Sequence, residues 1–349
     1  MKKIIKIAVV LITFSVLYAC KSQPLEFPDF PYNTTYFPIQ HPARTLVFGD
    51  YMYENDDDCT FRISAVHGGG YENKKNVTVG FVVDNSLTDN LYLSATSSVL
   101  LKAMPESWYT LSSANQIIIP KGERSGGVTV TLKDAFFEDP NSINTYWVIP
   151  LRMTSTTADS ILVGDPAVVN PDVRIAADWV TPPKNYTVFG VKYVNEWHGR
   201  YLLQGASVNK EADGSVVETI TYRGRYLEES EVVGVTTVGR HQVRYSKTLR
   251  QSASQGGNIP GEYIILLDFD PVDKVSATLS QGPNSAHKLT GTAKMVKNAG
   301  SWGDIARDVI YLDYKVEVEA NNRIYEIKDT LTFRDKNVRY EEYTPSVRP

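Results

Sequence analysis

Cysteine is nearly missing from this chain: Cys20 and Cys59 are the two in 349 residues. If Cys20 is used elsewhere, Cys59 is left alone, and neither a disulfide framework nor a Cys-based zinc site can be assembled. The five histidines, His41, His67, His198, His241 and His287, lie far apart and show no H-x-x-x-H pair. A helix-borne zinc site of the metalloprotease kind is thereby excluded. Also absent are a G-x-S-x-G nucleophile elbow, a P-loop and a Rossmann glycine fingerprint. Positive charge is not in excess either. The formal net charge of −4 gives no basic field for nucleic acid or anionic lipid. There is no internal repeat and no low-complexity tract.

What is present begins with an address. Lys2, Lys3 and Lys6 form a positive segment ahead of the apolar stretch Ile7–Val16, which is too short to span a bilayer as a mature helix. It ends in Leu-Tyr-Ala-Cys at Leu17–Cys20, a sequence that resembles a lipobox. The resemblance implies a signal peptide over residues 1–20, lipidation of Cys20 and a lipid anchor in the membrane. Lys21 rather than Asp follows the cysteine, which by analogy fits sorting to the outer membrane. Residues 21–34 then read as a Pro-containing tether without period.

From Thr35 the chain alternates short strands and turns. Thr35–Ile39, Arg44–Phe48, Phe61–Ala65 and Val77–Val83 are the first candidates. The stretch Pro105–Met153 is the most informative. Asn115–Pro120 is an apolar run closed by Pro-Lys-Gly, and Gly127–Lys133 alternates Val128, Val130 and Leu132 against Thr129 and Thr131. Tyr146–Met153 is a second buried run, where Pro150 is tolerated only at an edge or bulge. This pattern resembles the N-terminal immunoglobulin-like domain of Bacteroidetes surface lipoproteins of the SusE-like, glycan-utilisation kind. Related copies stand before chitinase-like and lectin-like domains. The resemblance implies an Ig-like β-sandwich over residues 35–165.

Pro166, Pro171, Pro182 and Pro183 then mark a linker over residues 166–188, with Trp179 as its packed aromatic. From residue 189 to 349 a second all-β unit follows. Ala212-Asp213-Gly214-Ser215 is a hairpin turn between Tyr201–Ser207 and Val216–Tyr222. Val232–Val238, Gln242–Tyr245, Tyr263–Asp268, Lys274–Leu279, Leu289–Val296, Val309–Glu319 and Ile324–Arg334 continue at even spacing. Such strands suit an up-and-down barrel or a curved sandwich. The segments Trp197–Tyr201 and Asp329–Tyr343 resemble the lipocalin-like C-terminal domains of such lipoproteins.

Candidate chemistry is sparse. Asp268 and Asp270 share a strand face and would offer a carboxylate pair for glycoside hydrolysis. A general acid two residues on is missing, since Val272 stands there, so a solvated strand end is the reading preferred. Asn55-Asp56-Asp57-Asp58 lacks the alternating calcium-loop spacing and reads as a solvent-facing acidic turn. Cys59 reads as a quiet, half-buried thiol. Asp159-Ser160-Ile161 and Asp329-Thr330-Leu331 match the short O-glycosylation pattern of this bacterial group.

Aromatics carry the binding expectation, because flat rings stack on sugar C–H faces while amides and carboxylates bind hydroxyls. Trp302, with Asp304, is placed on an exposed loop, Lys297–Asp304, as the first glycan-stacking candidate. Trp197, with Asn195, is the second, against the alternative that it plugs one end of a barrel. Trp108 and Trp147 fall in the core of the first domain. The expectation is therefore an all-β, non-catalytic surface lipoprotein without cofactor or metal. Its partner is a glycan or a glycan-uptake complex; a structural or adhesive protein with a protein partner is the alternative.

Overall fold

The computed structural model describes residues 32–49 and 54–348. The signal segment, Cys20 and the tether up to Pro31 lie outside the described residues. Strand accounts for 54% and helix for 9%, so the all-β expectation holds.

The first unit is a two-sheet sandwich. One sheet runs β11-β1-β3-β9-β7, built from β1 (Thr34–Tyr36), β3 (Thr60–Gly68), β7 (Tyr109–Leu111), β9 (Ser125–Leu132) and β11 (Ser160–Ile161). The other runs β24-β2-β14-β10-β4-β8, from β2 (Pro42–Val47), β4 (Val77–Val83), β8 (Gln116–Ile119), β10 (Trp147–Thr156), β14 (Tyr186–Val194) and β24 (Glu341–Glu342), with β6 (Lys102–Ala103) beside β10. Alternation drives the packing: Phe61, Ile63, Val128 and Val130 from one sheet meet Val79, Phe81, Ile149 and Leu151 from the other. Pro150 sits opposite Val188, one residue before the ladder to β4 begins at Leu151 and Val83. Its missing N–H therefore faces the end of a ladder, as expected for proline in a strand.

In the linker, β12 (Asp165–Pro166) pairs with β13 (Trp179–Thr181). Trp179 is packed there, its Nε1–H donating to Asp172 O at 2.8 Å.

The second unit is an eight-stranded antiparallel barrel. Its strands are β15 (Gly199–Lys210), β16 (Val216–Tyr222), β17 (Glu231–Thr237), β18 (Gln242–Leu249), β19 (Ile259–Phe269), β20 (Ser276–Gln281), β21 (Lys288–Trp302), β22 (Ile305–Val318) and β23 (Arg323–Asp335). They follow one another round the wall, and β15 against β23 closes it. Strands β16 and β17 are successive partners of the same edge of β15, so they share one position in the wall.

Two boundaries differ from the sequence expectation. The sequence places Phe189–Val194 in the second domain, but the strand that holds them, β14, pairs with β10 and β2 in the sandwich. Residues after Asp335 also leave the barrel: β24 pairs with β2, and β25 (Ser346–Val347) pairs with β5 (Leu91–Tyr92). Apolar alternation alone does not say which of two sheets receives a strand. The strap is fastened by Lys336 Nζ donating to Phe48 O and Glu196 O, and by Arg348 Nη2 donating to Ser94 O, Ala95 O and Ser97 O.

Candidate functional site

Between β17 and β18 the barrel wall is incomplete. The two strands pair only over Val235–Thr237 and Val243–Tyr245. Beyond Tyr245 they part, and a cleft of about 700 Å³ opens, lined among others by Glu231, Ser246, Lys247, Arg250, Gln251 and Asn258. Alternation along β18 turns Val243, Tyr245, Lys247 and Leu249 to the interior.

Lys247 thus reaches a buried carboxylate. Its Nζ donates to both Asp329 oxygens at 3.0 Å and to Tyr222 Oη at 3.1 Å. The ammonium also lies 4.3 Å from the Tyr222 ring centroid. Asp329 accepts further from Tyr314 Oη at 2.8 Å, Tyr245 Oη at 3.4 Å and Tyr222 Oη. Tyr263 Oη is 2.8 Å from Tyr314 Oη. The Lys247 and Asp329 side chains are 9% and 0% exposed. Buried charge persists only when paired and hydrogen-bonded in this way. Burial, opposed by Asp329, holds the Lys247 ammonium below its ordinary range. Burial foremost, with the Asp329 carboxylate adding to it, raises Tyr222, Tyr245 and Tyr263, so these phenols remain protonated donors. Mid-strand Gly205 makes room for the cluster: a Cβ there would come within 2.7 Å of the Tyr222 ring and 2.8 Å of Asp329 Oδ1. Arg250 ion-pairs with Glu231 and lies 4.5 Å from the Tyr222 ring centroid.

A second cleft, of about 620 Å³, lies between the sandwich and the C-terminal strap, lined among others by Asn141, Asn144, Tyr146, Lys192, Glu341 and Glu342. Asn141 and Asn144 are exposed, and no hydrogen bond ties either carboxamide to the described residues. The turn that carries them is fixed. Asp139 Oδ1 accepts from Asn141 N at 2.7 Å and from Trp147 Nε1 at 3.3 Å. The Tyr146 ring stands edge-on to Trp147 at 4.8 Å. Where the strap meets β14, Lys192 Nζ donates to Glu341 Oε2 at 2.6 Å, and Tyr343 Oη donates to Val188 O at 2.5 Å.

The residues singled out from sequence fall elsewhere. Trp197 is 1% exposed and stacks on Phe269 at 4.3 Å and 5°. No face is left for a sugar, and the barrel-plug alternative describes it. Asn195 is buried, its Nδ2–H₂ donating to Gly239 O and Gln242 O, so it too is structural. Trp302 is not on a loop. It ends β21, after a bulge between Val296 and Gly300, and pairs with Ile305 across a two-residue Gly303-Asp304 turn. Both turn residues have positive φ, 59° and 58°, which glycine and aspartate accept and which the hairpin twist requires. Arg307 lies over the Trp302 ring at 4.8 Å, and the indole Nε1–H of Trp302 donates to Phe333 O at 3.1 Å. Asp304 is exposed at the turn.

Asp268 and Asp270 are exposed, with Asp270 capping Val272 N and Asp273 N, as a solvated strand end does. Asp56 corrects the reading of a solvent-facing acidic turn: it is fully buried, pairs with Arg44 and accepts from Val47 N at 2.9 Å. Burial pushes the half-buried Cys59 thiol up, away from the reactive thiolate. Asp329 sits inside the barrel, while Thr330, which carries the hydroxyl of that tripeptide, is half-buried. Among the described residues, no group of three or more His, Cys, Asp or Glu side chains converges on a metal position. Trp108 and Trp147 pack edge-to-face at 4.9 Å against the sandwich core.

Sequence reasoning missed Lys247 and Asp329. The signal was parity: each is a charged side chain at an inward position with apolar or aromatic neighbours on both sides, Tyr245 and Leu249 in β18 and Ile327 and Leu331 in β23.

Comparison with known proteins meets this architecture in both halves. A family described as a "-like, N-terminal domain" matches residues 31–160. The family DUF5627, a domain of unknown function, matches residues 196–337, which contain the whole barrel from β15 to β23. A crystal structure of a protein of unknown function from Bacteroides ovatus, at 2.40 Å resolution, is 37% identical. It covers 92% of this chain and 100% of its own, with a TM-score of 0.83. The chain belongs to the family of that Bacteroides protein. None of the curated proteins matches it.

Proposed function

We propose that the protein is a lipid-anchored, non-catalytic binding protein of the outer-membrane surface, and that its ligand is a glycan held in the cleft beside the C-terminal strap. One observation carries the reading. Asn141 and Asn144 present carboxamides with no hydrogen-bond partner among the described residues, from a pinned turn beside the half-buried ring of Tyr146. Carboxamides donate to and accept from sugar hydroxyls, a phenol ring packs on the C–H face, and the Lys192–Glu341 pair and Glu342 supply charged partners. A volume of about 620 Å³ lies in the range of small-ligand sites. The Leu-Tyr-Ala-Cys segment at Leu17–Cys20 supports the anchor. The resemblance to SusE-like lipoproteins supports a place in a glycan-uptake complex.

The test is retardation of soluble Lys21–Pro349 in affinity gels cast with a panel of host and plant polysaccharides. Retardation by one polymer is expected, and it is lost in Asn144→Ala and in Tyr146→Ala while Trp302→Ala retains it. Equal retardation of wild type and both cleft variants, or none across the panel, refutes the reading and moves the assignment to a protein partner.

A further inference from the structure

We infer that the cleft in the barrel wall is a carbonyl-binding site, in which Lys247 captures a small oxo acid as a protonated imine with Asp329 as its counter-ion. This is independent of the glycan reading, since it rests on other residues in the other unit. Four observations converge on it. Lys247 is a barrel-interior amine that nevertheless lines an opening to solvent. Its carboxylate partner is wholly buried and is held by phenol donors from three further strands, β16, β18 and β22. A cationic partner for an anionic ligand stands in the same cleft: Arg250, whose counter-charge Glu231 is 54% exposed and free to turn to water. The remaining lining is mainly polar, with Ser246, Thr248, Gln251, Ser252 and Asn258 beside Ile220 and Val233, which suits a small polar ligand.

The chemistry balances without a further reagent. The ammonium lends one proton to Asp329, whose phenol partners hold it in place, and the freed lone pair attacks the carbonyl carbon. The C–N bond forms and the C–O bond breaks. The oxygen leaves as water with two of the three ammonium hydrogens, and the third remains on the imine nitrogen, facing Asp329. Positive charge is conserved at the nitrogen, so the ion pair survives the reaction and no buried charge is stranded. Burial already disfavours the ammonium form of Lys247, which raises its share of nucleophilic amine over that of a solvated lysine. The ligand carboxylate takes the place of Glu231 on the Arg250 guanidinium, a planar donor fork matched to it.

The experiment incubates soluble Lys21–Pro349 with glyoxylate and sodium cyanoborohydride at neutral pH, and follows intact mass and peptide maps over time. A single early adduct on Lys247 is expected, ahead of exposed lysines such as Lys102. Lys247→Arg loses it. Arg250→Gln slows capture of glyoxylate but not of acetaldehyde, which carries no carboxylate. Adducts spread over surface lysines, with Lys247 no earlier than Lys102, overturn the inference on the wild-type protein alone. An adduct of equal rate in Arg250→Gln with both aldehydes overturns the oxo-acid assignment.

Discussion

Replacing Asp329 by Asn keeps the shape of the barrel interior but removes its negative charge. Lys247, 9% exposed, is then left with the Tyr222 hydroxyl and ring as its main partners. Removing one member of a buried ion pair costs about 3–5 kcal/mol. Because Lys247 borders an open cleft, water can partly solvate it, which sets the expected loss near the lower end, about 3 kcal/mol. For a unit of this size that corresponds to a fall in midpoint of roughly 10 °C. The reverse change, Lys247→Met, costs less, since the carboxylate keeps its phenol donors. The double variant should therefore lie well short of the sum of the singles, with a coupling of about 1–3 kcal/mol. Urea unfolding of all four proteins closes the cycle. Additivity to within about 0.5 kcal/mol, or single effects below about 1 kcal/mol, would refute the view that this pair is an interdependent charge cluster.

Other outcomes follow from the same geometry. Gly205→Ala forces a Cβ to within 2.4 Å of Lys328 O, and should destabilise the barrel by about 1–3 kcal/mol through overpacking, read by urea unfolding. Trp197→Ala should cost about 3–5 kcal/mol as a buried aromatic truncation, and Trp302→Ala clearly less, since its ring is only half-buried; equal losses would contradict the plug assignment. His41 and His198 are both lowered to about 4, by burial first and, at His198, also by Lys336 and Lys192. The folded state therefore binds fewer protons than the unfolded chain between pH 6.5 and about 4. The stability from keeping them neutral is complete above 6.5 and is lost as pH falls through that window. His198 Nδ1 accepts from Thr237 N at 3.1 Å, so His198→Gln should lower stability at pH 7 and flatten its acid dependence.

How far the fold could be read beforehand depends on what kind of information each element carries. Val77–Val83 and Val216–Tyr222 were bounded as they stand in the structure, because turn residues and alternation mark both ends. The hairpin at Asp213-Gly214 was legible for the same reason, Gly214 holding φ at 87°. The sheet that receives Tyr186–Val194 was not legible, since its inward residues Val191 and Tyr193 serve either core equally well as a pattern. Binding candidates failed where a flanking glycine was read as a loop. Gly300 and Gly303 flank Trp302, yet they serve a bulge and a tight turn that keep the indole on the barrel wall. The clefts depend on where two strands part and where the strap returns, which is long-range information that no local window contains.

That return has a consequence for biosynthesis. The sandwich begins with Thr34 and receives its last strand, Glu341–Glu342, from beyond the barrel, where Ser346–Val347 also returns to pair with β5. A ribosome making this protein releases every barrel strand before it releases those residues. The unit that emerges first is thus completed last, and until Glu341–Val347 emerge the edges of β2 and β5 stand open.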